Sequence, residues 1–150
     1  MARVFDTQSY LDMVCQLLDQ GKTQVPVTVS GHSMVPFLHE GDTVYLDLLE
    51  RPAKQGDILL YRRPTGQYVL HRVWKKTGKD LLLITGDAQQ DLEPVRPQAV
   101  CALVTAALHK GRLCRPGDLR WWLYAHVWRW LRPFRRRLMS LREALRRKKR

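Results

Sequence analysis

The sequence predicts a mainly β domain, a coiled sheet or partly closed barrel, with a helix before it and a basic amphipathic helix after it. Short apolar and β-branched runs separated by glycine and proline turns occupy the middle of the chain. At both ends, apolar side chains recur at helical spacing instead. With 150 residues, of which 45% are hydrophobic, the chain can form one packed domain of ordinary size.

The order of the elements follows from these patterns. A first amphipathic helix covers residues 10–18, with Asp6 or Thr7 as its cap and Gly21 at its end. Alternation over residues 25–29 predicts a strand, and a loop from Gly31 to Asp42 follows it. Further runs predict strands at residues 43–46, 57–61, 68–74, 81–85 and 100–106, and a turn at residues 64–66 suggests that two of them form a hairpin.

Charge divides the chain into a neutral part and a basic part. Residues 1–111 carry 12 Lys and Arg against 12 Asp and Glu, whereas residues 112–150 carry 14 Lys and Arg against Asp118 and Glu143. The net charge of +12 therefore belongs to the last quarter of the chain. We predict an N-terminal helix in residues 1–24, a β domain in residues 25–111 and a basic helical tail in residues 112–150.

The tail has several possible partners. Four of the five tryptophans lie in residues 121–130, on a helix whose apolar face continues to Leu145 across a break predicted at Pro133. Tryptophan and arginine on one helix suit an anionic membrane surface, so residues 119–150 are expected to make peripheral membrane contact. A helix packed on the β domain and capture of an acidic partner stay open, and nucleic acid is the less favoured partner.

Several classes of protein are not indicated. No run of about 20 apolar residues predicts a membrane span or an N-terminal anchor, and we expect a cytoplasmic protein that can lie on the inner membrane face. Three cysteines without close spacing predict free thiols. His39, His109 and His126 show no ligand spacing, so neither a metal nor an organic cofactor is predicted.

Three short blocks contain residues suited to nucleophilic catalysis. Ser33 lies in the loop after the first strand, His71 lies in a strand between Val69 and Val73, and Asp87 lies in a Gly-Asp turn. A serine hydroxyl needs a base within hydrogen-bond reach, and a partly buried histidine supplies one in the neutral form. An acidic side chain can then orient the imidazole. Spacing along the chain does not by itself bring the three together.

These blocks resemble the superfamily of signal peptidases and LexA-like self-cleaving repressors. The resemblance covers residues 25–106 and rests on Ser33-Met34-Val35-Pro36 with Gly41-Asp42, Gly56-Asp57-Ile58, His71-Arg72-Val73, and Thr85-Gly86-Asp87-Ala88. A histidine rather than a lysine as base, in a His-Arg-Val context, is similar to the endoplasmic-reticulum and sporulation branch. The chain resembles a short form of that branch without the membrane anchor.

The resemblance implies a serine endopeptidase with Ser33 as nucleophile, His71 as base and Asp87 as acidic partner, with Asp91 a competitor for the last role. It also implies that the N–H of Ser33 helps to bind the oxyanion. The expected partner is a peptide or protein substrate, for which we favour a precursor that is matured by cleavage. Activity is expected to rise between about pH 6 and 8 as the histidine loses its proton. The alternatives are a catalytically inactive binding module of the same fold, or a membrane- or nucleic-acid-binding protein that acts through its basic helix.

Overall fold

The computed structural model describes residues 7–148, without the side chains of Arg132 and Arg135. One helix precedes the sheet and a broken helical segment follows it. The strands are β1 Val25–Thr28, β2 Thr43–Asp47, β3 Ile58–Arg62, β4 Tyr68–Thr77, β5 Leu81–Thr85, β6 Glu93–Val95, β7 Val100–His109 and β8 Arg112–Cys114. The helical elements are α1 Thr7–Asp19, α2 Leu119–Trp122, a π-helical turn Leu123–Val127, α3 Trp128–Trp130, a 3₁₀ turn Arg132–Phe134 and α4 Arg135–Lys148, with a further 3₁₀ turn Pro97–Ala99 before β7.

All eight strands form one antiparallel sheet in the order β1-β2-β7-β3-β4-β5-β6, with β8 paired to β7. The sheet is not closed, since β1 and β6 end the path. The predicted fold class, a mainly β domain with an N-terminal and a C-terminal helix, is therefore confirmed. The three-residue strands β6 and β8 were not predicted, because runs this short, one of them containing Pro94, carry little periodicity.

The sheet is covered on both faces, and β3 shows this most directly. Ile58 and Leu60 join a large core cluster with α1 and loop 31–42, whereas Leu59 and Tyr61 join a smaller cluster on the other face. Successive side chains of a strand point to opposite faces. The whole apolar run of β3 is therefore buried and shows no polar alternation.

The first part of the C-terminal helical segment packs on the domain. Trp121 is 5% exposed and its ring meets that of Phe37 edge-on, with centroids 5.2 Å apart. A Cβ atom placed on Gly56 would lie 2.8 Å from the Cβ of Ala125, so the helix approaches this turn closely. No helix in the described part of the chain is long and apolar enough to cross a membrane.

Candidate active site

Ser33 lies in loop 31–42, which leaves β1 and returns to β2. Backbone hydrogen bonds close the base of this loop on Val29, whose N–H donates to Asp42 O (2.8 Å) and whose carbonyl accepts from Gly41 N (2.9 Å). Met34 is buried beside Ser33 and anchors the loop in the large core cluster. Ser33 therefore lies on a loop that is held at its base by backbone hydrogen bonds and next to Ser33 by the buried side chain of Met34.

A second loop holds the carbonyl group of Ser33. The N–H of Ala88 donates to the carbonyl oxygen of Ser33 at 2.9 Å. A Cβ atom on Gly86 would lie 2.4 Å from the same oxygen, so only glycine permits this approach. The Gly-Asp-Ala block thus serves first as the surface on which the Ser33 loop docks.

His71 borders the same cleft as Ser33. The cleft has a volume of about 570 Å³ and is also lined by the end of β1 and by Gln89. His71 reaches this cleft from β4, where it pairs with Leu59 of β3. Folding therefore brings to one cavity two residues that are far apart in the sequence.

Burial keeps His71 neutral. The residue is 3% exposed, and burial lowers the pKa of its imidazole to about 4, with Glu93 raising it and Arg63 lowering it by smaller amounts. Neutral imidazole is the form that a general base requires. Because this pKa is lowered, the rise in activity that the sequence predicts between about pH 6 and 8 is now expected at a lower pH.

A tyrosine and a glutamate define the tautomer of His71. The hydroxyl of Tyr61 donates to Glu93 Oε2 at 2.7 Å, and its oxygen lies 3.4 Å from His71 Nδ1. Because the hydroxyl proton is used on Glu93, the tyrosine oxygen can accept a long hydrogen bond from Nδ1–H. Burial and the bond to Glu93 raise the pKa of Tyr61, so it keeps its proton. This arrangement leaves Nε2 as the basic nitrogen.

Arg63 fixes the glutamate in turn. Its guanidinium donates to both carboxylate oxygens of Glu93 at 2.8 Å, and these bonds lower the pKa of Glu93. Sequence reasoning missed Tyr61, Arg63 and Glu93. Period-two alternation could have indicated Tyr61, because it places this residue on the same face as Leu59, the partner of His71. No such signal existed for Glu93, which comes from the unpredicted strand β6.

Asp87 has a different set of contacts from those expected. Its two carboxylate oxygens accept from Arg72 Nε and Nη2 at 2.9 and 3.0 Å, and both side chains are buried. Arg72 also donates to the carbonyl oxygen of Gly56 at 3.0 Å. In the described part of the chain, Asp87 makes no hydrogen bond to His71. The pair instead connects the turn that docks Ser33 to the residue next to His71 on β4.

Two other titratable side chains, Asp91 and His32, lie at the edges of the site. Asp91 is exposed and lines a smaller pocket of about 390 Å³ that His71 also borders. His32 is exposed, and its Nε2 lies 3.8 Å from Glu40. Within residues 7–148, neither is hydrogen-bonded to Ser33 or His71.

The C-terminal segment supports this site from outside. Arg120 donates to the carbonyl oxygen of Phe37, in the Ser33 loop, and the indole N–H of Trp128 donates to the carbonyl oxygen of Asp87, both at 2.8 Å. The guanidinium of Arg129 lies over the ring of Trp74 on β4, 4.6 Å from its centroid. Residues 119–130 therefore contact both loops that position Ser33.

Comparison with known proteins agrees with this architecture. No curated protein matches the chain. The model of the family described as Peptidase S24-like matches residues 3–106, which include loop 31–42, His71 and the Gly-Asp-Ala turn. This match covers more than half of the chain and places it within the LexA and signal-peptidase-like superfamily of serine peptidases. The chain therefore belongs to the Peptidase S24-like family.

Proposed function

We propose that the protein is a serine endopeptidase in which Ser33 is the nucleophile and His71 the general base. The observation that carries this proposal is that Ser33 and a buried, neutral His71 line one cleft. Ser33 Oγ would attack the peptide carbonyl while His71 Nε2 takes its proton and passes it to the leaving amine. Water would then hydrolyse the acyl-enzyme by the same route and release a new carboxyl terminus.

The site has parts for the other steps of acyl transfer. In the described part of the chain, the N–H of Ser33 donates no hydrogen bond, so it is available to an oxyanion. Ser33 and His71 share no hydrogen bond there either, and such contacts often form only when substrate fills the site. Glu93, acting through Tyr61, would orient the imidazole. Asp87 would act as a positioning residue that, with Arg72, holds the Ser33 loop against β4.

The cleft suits an extended peptide segment. It runs beside residues 27–31, and β1 is an edge strand that pairs on one side with β2. An extended substrate could add to the edge of such a strand through main-chain hydrogen bonds beyond Pro26, whose carbonyl oxygen accepts from the Tyr10 hydroxyl at 3.4 Å. The substrate class that we propose is therefore a flexible segment of a peptide or protein precursor.

A peptide library tests the proposal. Mass spectrometry should detect new termini with the intact protein and with Ser9→Ala, which changes an exposed serine of α1. Ser33→Ala should reduce their rate of formation at least about a thousandfold, because the nucleophile is lost. Equal profiles for the intact protein and Ser33→Ala would refute the peptidase and favour a binding module of the same fold.

A second variant tests how His71 is oriented. Tyr61→Phe removes the hydroxyl between His71 and Glu93 and should lower kcat about tenfold with little change in KM. It should also change the pH profile of kcat/KM, since Glu93 then no longer reaches the imidazole. Tyr45→Phe on β2 is the control. An unchanged kcat and pH profile in Tyr61→Phe would exclude the orienting role.

We infer that residues 119–148 bind an anionic membrane surface. Nine large apolar side chains are exposed along this segment at intervals of three or four residues, apart from one adjacent pair. They form the apolar stripe, which consists of Leu119, Trp122, Leu123, Val127, Trp130, Phe134, Leu138, Leu141 and Leu145. Trp130 is 82% exposed, and α4 carries seven basic residues against one acidic residue. An apolar stripe between cations fits the headgroup region of an anionic bilayer.

Vesicles distinguish this partner from others. The protein should sediment with vesicles that contain phosphatidylglycerol and much less with pure phosphatidylcholine vesicles. Trp130→Ser with Leu141→Ser should weaken binding at least tenfold, because both apolar side chains leave the bilayer. Leu113→Ser, which changes an exposed leucine outside the stripe, is the matched control. Equal binding by the double variant, or binding to RNA alone, would refute the membrane assignment.

A further inference from the structure

A cluster of two histidines and an aspartate lies at the base of loop 31–42. Ligand atoms of His39, Asp42 and His109 all lie within 4.8 Å of one another. The sheet register explains their meeting, because Thr43 pairs with Leu108 and this pairing puts Asp42 beside His109, the last residue of β7. His39 comes from the loop itself, three residues before Asp42.

The carboxylate of Asp42 is buried and held in place. Its Oδ2 accepts from the backbone N–H of His39 at 2.8 Å, and its Oδ1 lies 2.5 Å from His109 Nδ1. The rings of His39 and His109 lie with centroids 4.9 Å apart. Two imidazoles therefore flank one fixed carboxylate, on the side of the loop base that faces β7.

One nitrogen of this cluster is not satisfied by the protein. His39 Nδ1 is buried and has no hydrogen-bond partner, and it lies 3.9 Å from Asp42 Oδ2, too far for a hydrogen bond. Buried polar atoms in folded proteins nearly always have a partner, so an unpartnered ring nitrogen 3.9 Å from a carboxylate oxygen requires a physical cause. A metal ion between the three side chains would supply the missing partner.

Charge limits what the cluster can bind. It contains one carboxylate and two imidazoles, and two cations of the C-terminal segment, Arg120 and Arg142, lie near His39. This donor set suits a single divalent ion.

We propose that His39, Asp42 and His109 form a binding site for one divalent transition-metal ion of the zinc type. Two imidazoles and a carboxylate, with water in a fourth position, are a donor set that zinc accepts. The ion would replace the contact between His109 and Asp42 and would connect the base of loop 31–42 to the end of β7. It would thereby stabilise the loop that carries Ser33 and take no part in acyl transfer.

Titration of the full-length, chelator-treated protein with zinc chloride tests the site. We expect saturable binding of one ion per chain, together with a rise in Tm that grows with zinc concentration. His39→Gln and His109→Gln should each weaken binding at least about tenfold, since each removes one of three ligands. His126→Gln and Cys15→Ser should bind as the intact protein does.

Two further readouts separate this site from the peptidase centre and from metal bound by a cysteine. Ser33→Ala should bind zinc normally, so the result does not depend on the proposed peptidase activity. Cobalt(II) in place of zinc should give the absorption of nitrogen and oxygen ligands, without the intense charge-transfer band of a thiolate. Absence of saturable binding, a thiolate band, or unchanged affinity in both histidine variants would overturn the proposal.

Discussion

In the β domain, buried charged side chains are paired and most large apolar side chains face a core, whereas in residues 119–148 nine large apolar side chains lie exposed among cations. Arg72 and Asp87 illustrate the first region, and Trp130 and Leu145 the second. Residues 119–130 combine the two patterns, since Trp121 and Ala125 are buried while Leu119 and Trp122 are exposed. Within one Trp- and Arg-rich segment, contact with the sheet therefore separates the buried side chains from the exposed ones.

The largest effect should come from separating the buried ion pair. Arg72→Ala leaves the Asp87 carboxylate buried without its partner and should lower the free energy of unfolding by about 3 to 5 kcal/mol. Urea denaturation measures this loss. Arg62→Ala, which removes a half-exposed arginine of β3, should cost less than about 1 kcal/mol. Equal losses in the two variants would show that the sheet does not depend on the buried pair.

Paired substitutions of two tryptophans sharpen the comparison within the C-terminal segment. Trp121→Ala removes a ring packed on Phe37 and should lower the free energy of unfolding by about 3 kcal/mol. Trp130→Ala removes an exposed ring and should change it by less than about 0.5 kcal/mol. Thermal or urea unfolding checks both. Comparable losses would mean that the outer face of the segment is also packed.

The pH dependence of stability should report on the burial of His71 in the sheet. The pKa of His71 is about 4 in the folded protein and about 6.5 when unfolded, so the unfolded chain binds the proton more tightly. The resulting stability is complete above pH 6.5 and is lost as the pH falls through about 4, by roughly 3 kcal/mol. Urea denaturation between pH 4 and 7 should show this loss in the intact protein and not in His71→Phe. A parallel loss in both would contradict the assignment to His71.

The smallest effect on stability should come from removing α4. Deletion of residues 135–150 removes mostly exposed side chains from the described part and should change the free energy of unfolding by less than about 0.5 kcal/mol. The same deletion should greatly reduce sedimentation with anionic vesicles. Deletion from residue 119 should in addition destabilise the domain, because Trp121 and Ala125 are lost. A large destabilisation by the shorter deletion would show that α4 packs on the domain.

Much of the candidate site could be predicted before its geometry was known. Ser33, His71 and Asp87 are predicted because their blocks resemble a known superfamily, and the matched residues 3–106 span these positions without assigning their roles. The contacts of Asp87 could not be predicted, since a Gly-Asp turn does not reveal whether its carboxylate meets His71 or Arg72. Tyr61 was missed although the predicted hairpin brings its strand beside His71. Glu93 was missed because it comes from the unpredicted strand β6 and contacts the hydroxyl of Tyr61 rather than the imidazole.

The sequence by itself determined the local periodicities, the neutral and basic parts of the chain and the order of the candidate catalytic blocks, because these can be seen in the order of residues along the chain. The tertiary structure decided which side chains meet. Asp87 pairs with Arg72, and Glu93 accepts a hydrogen bond from Tyr61. His39 and His109 lie beside Asp42, although the spacing of the histidines predicts no ligand set. The physical reason is that strand register and loop docking set contacts between distant residues, and neither is encoded in the spacing of a single short motif.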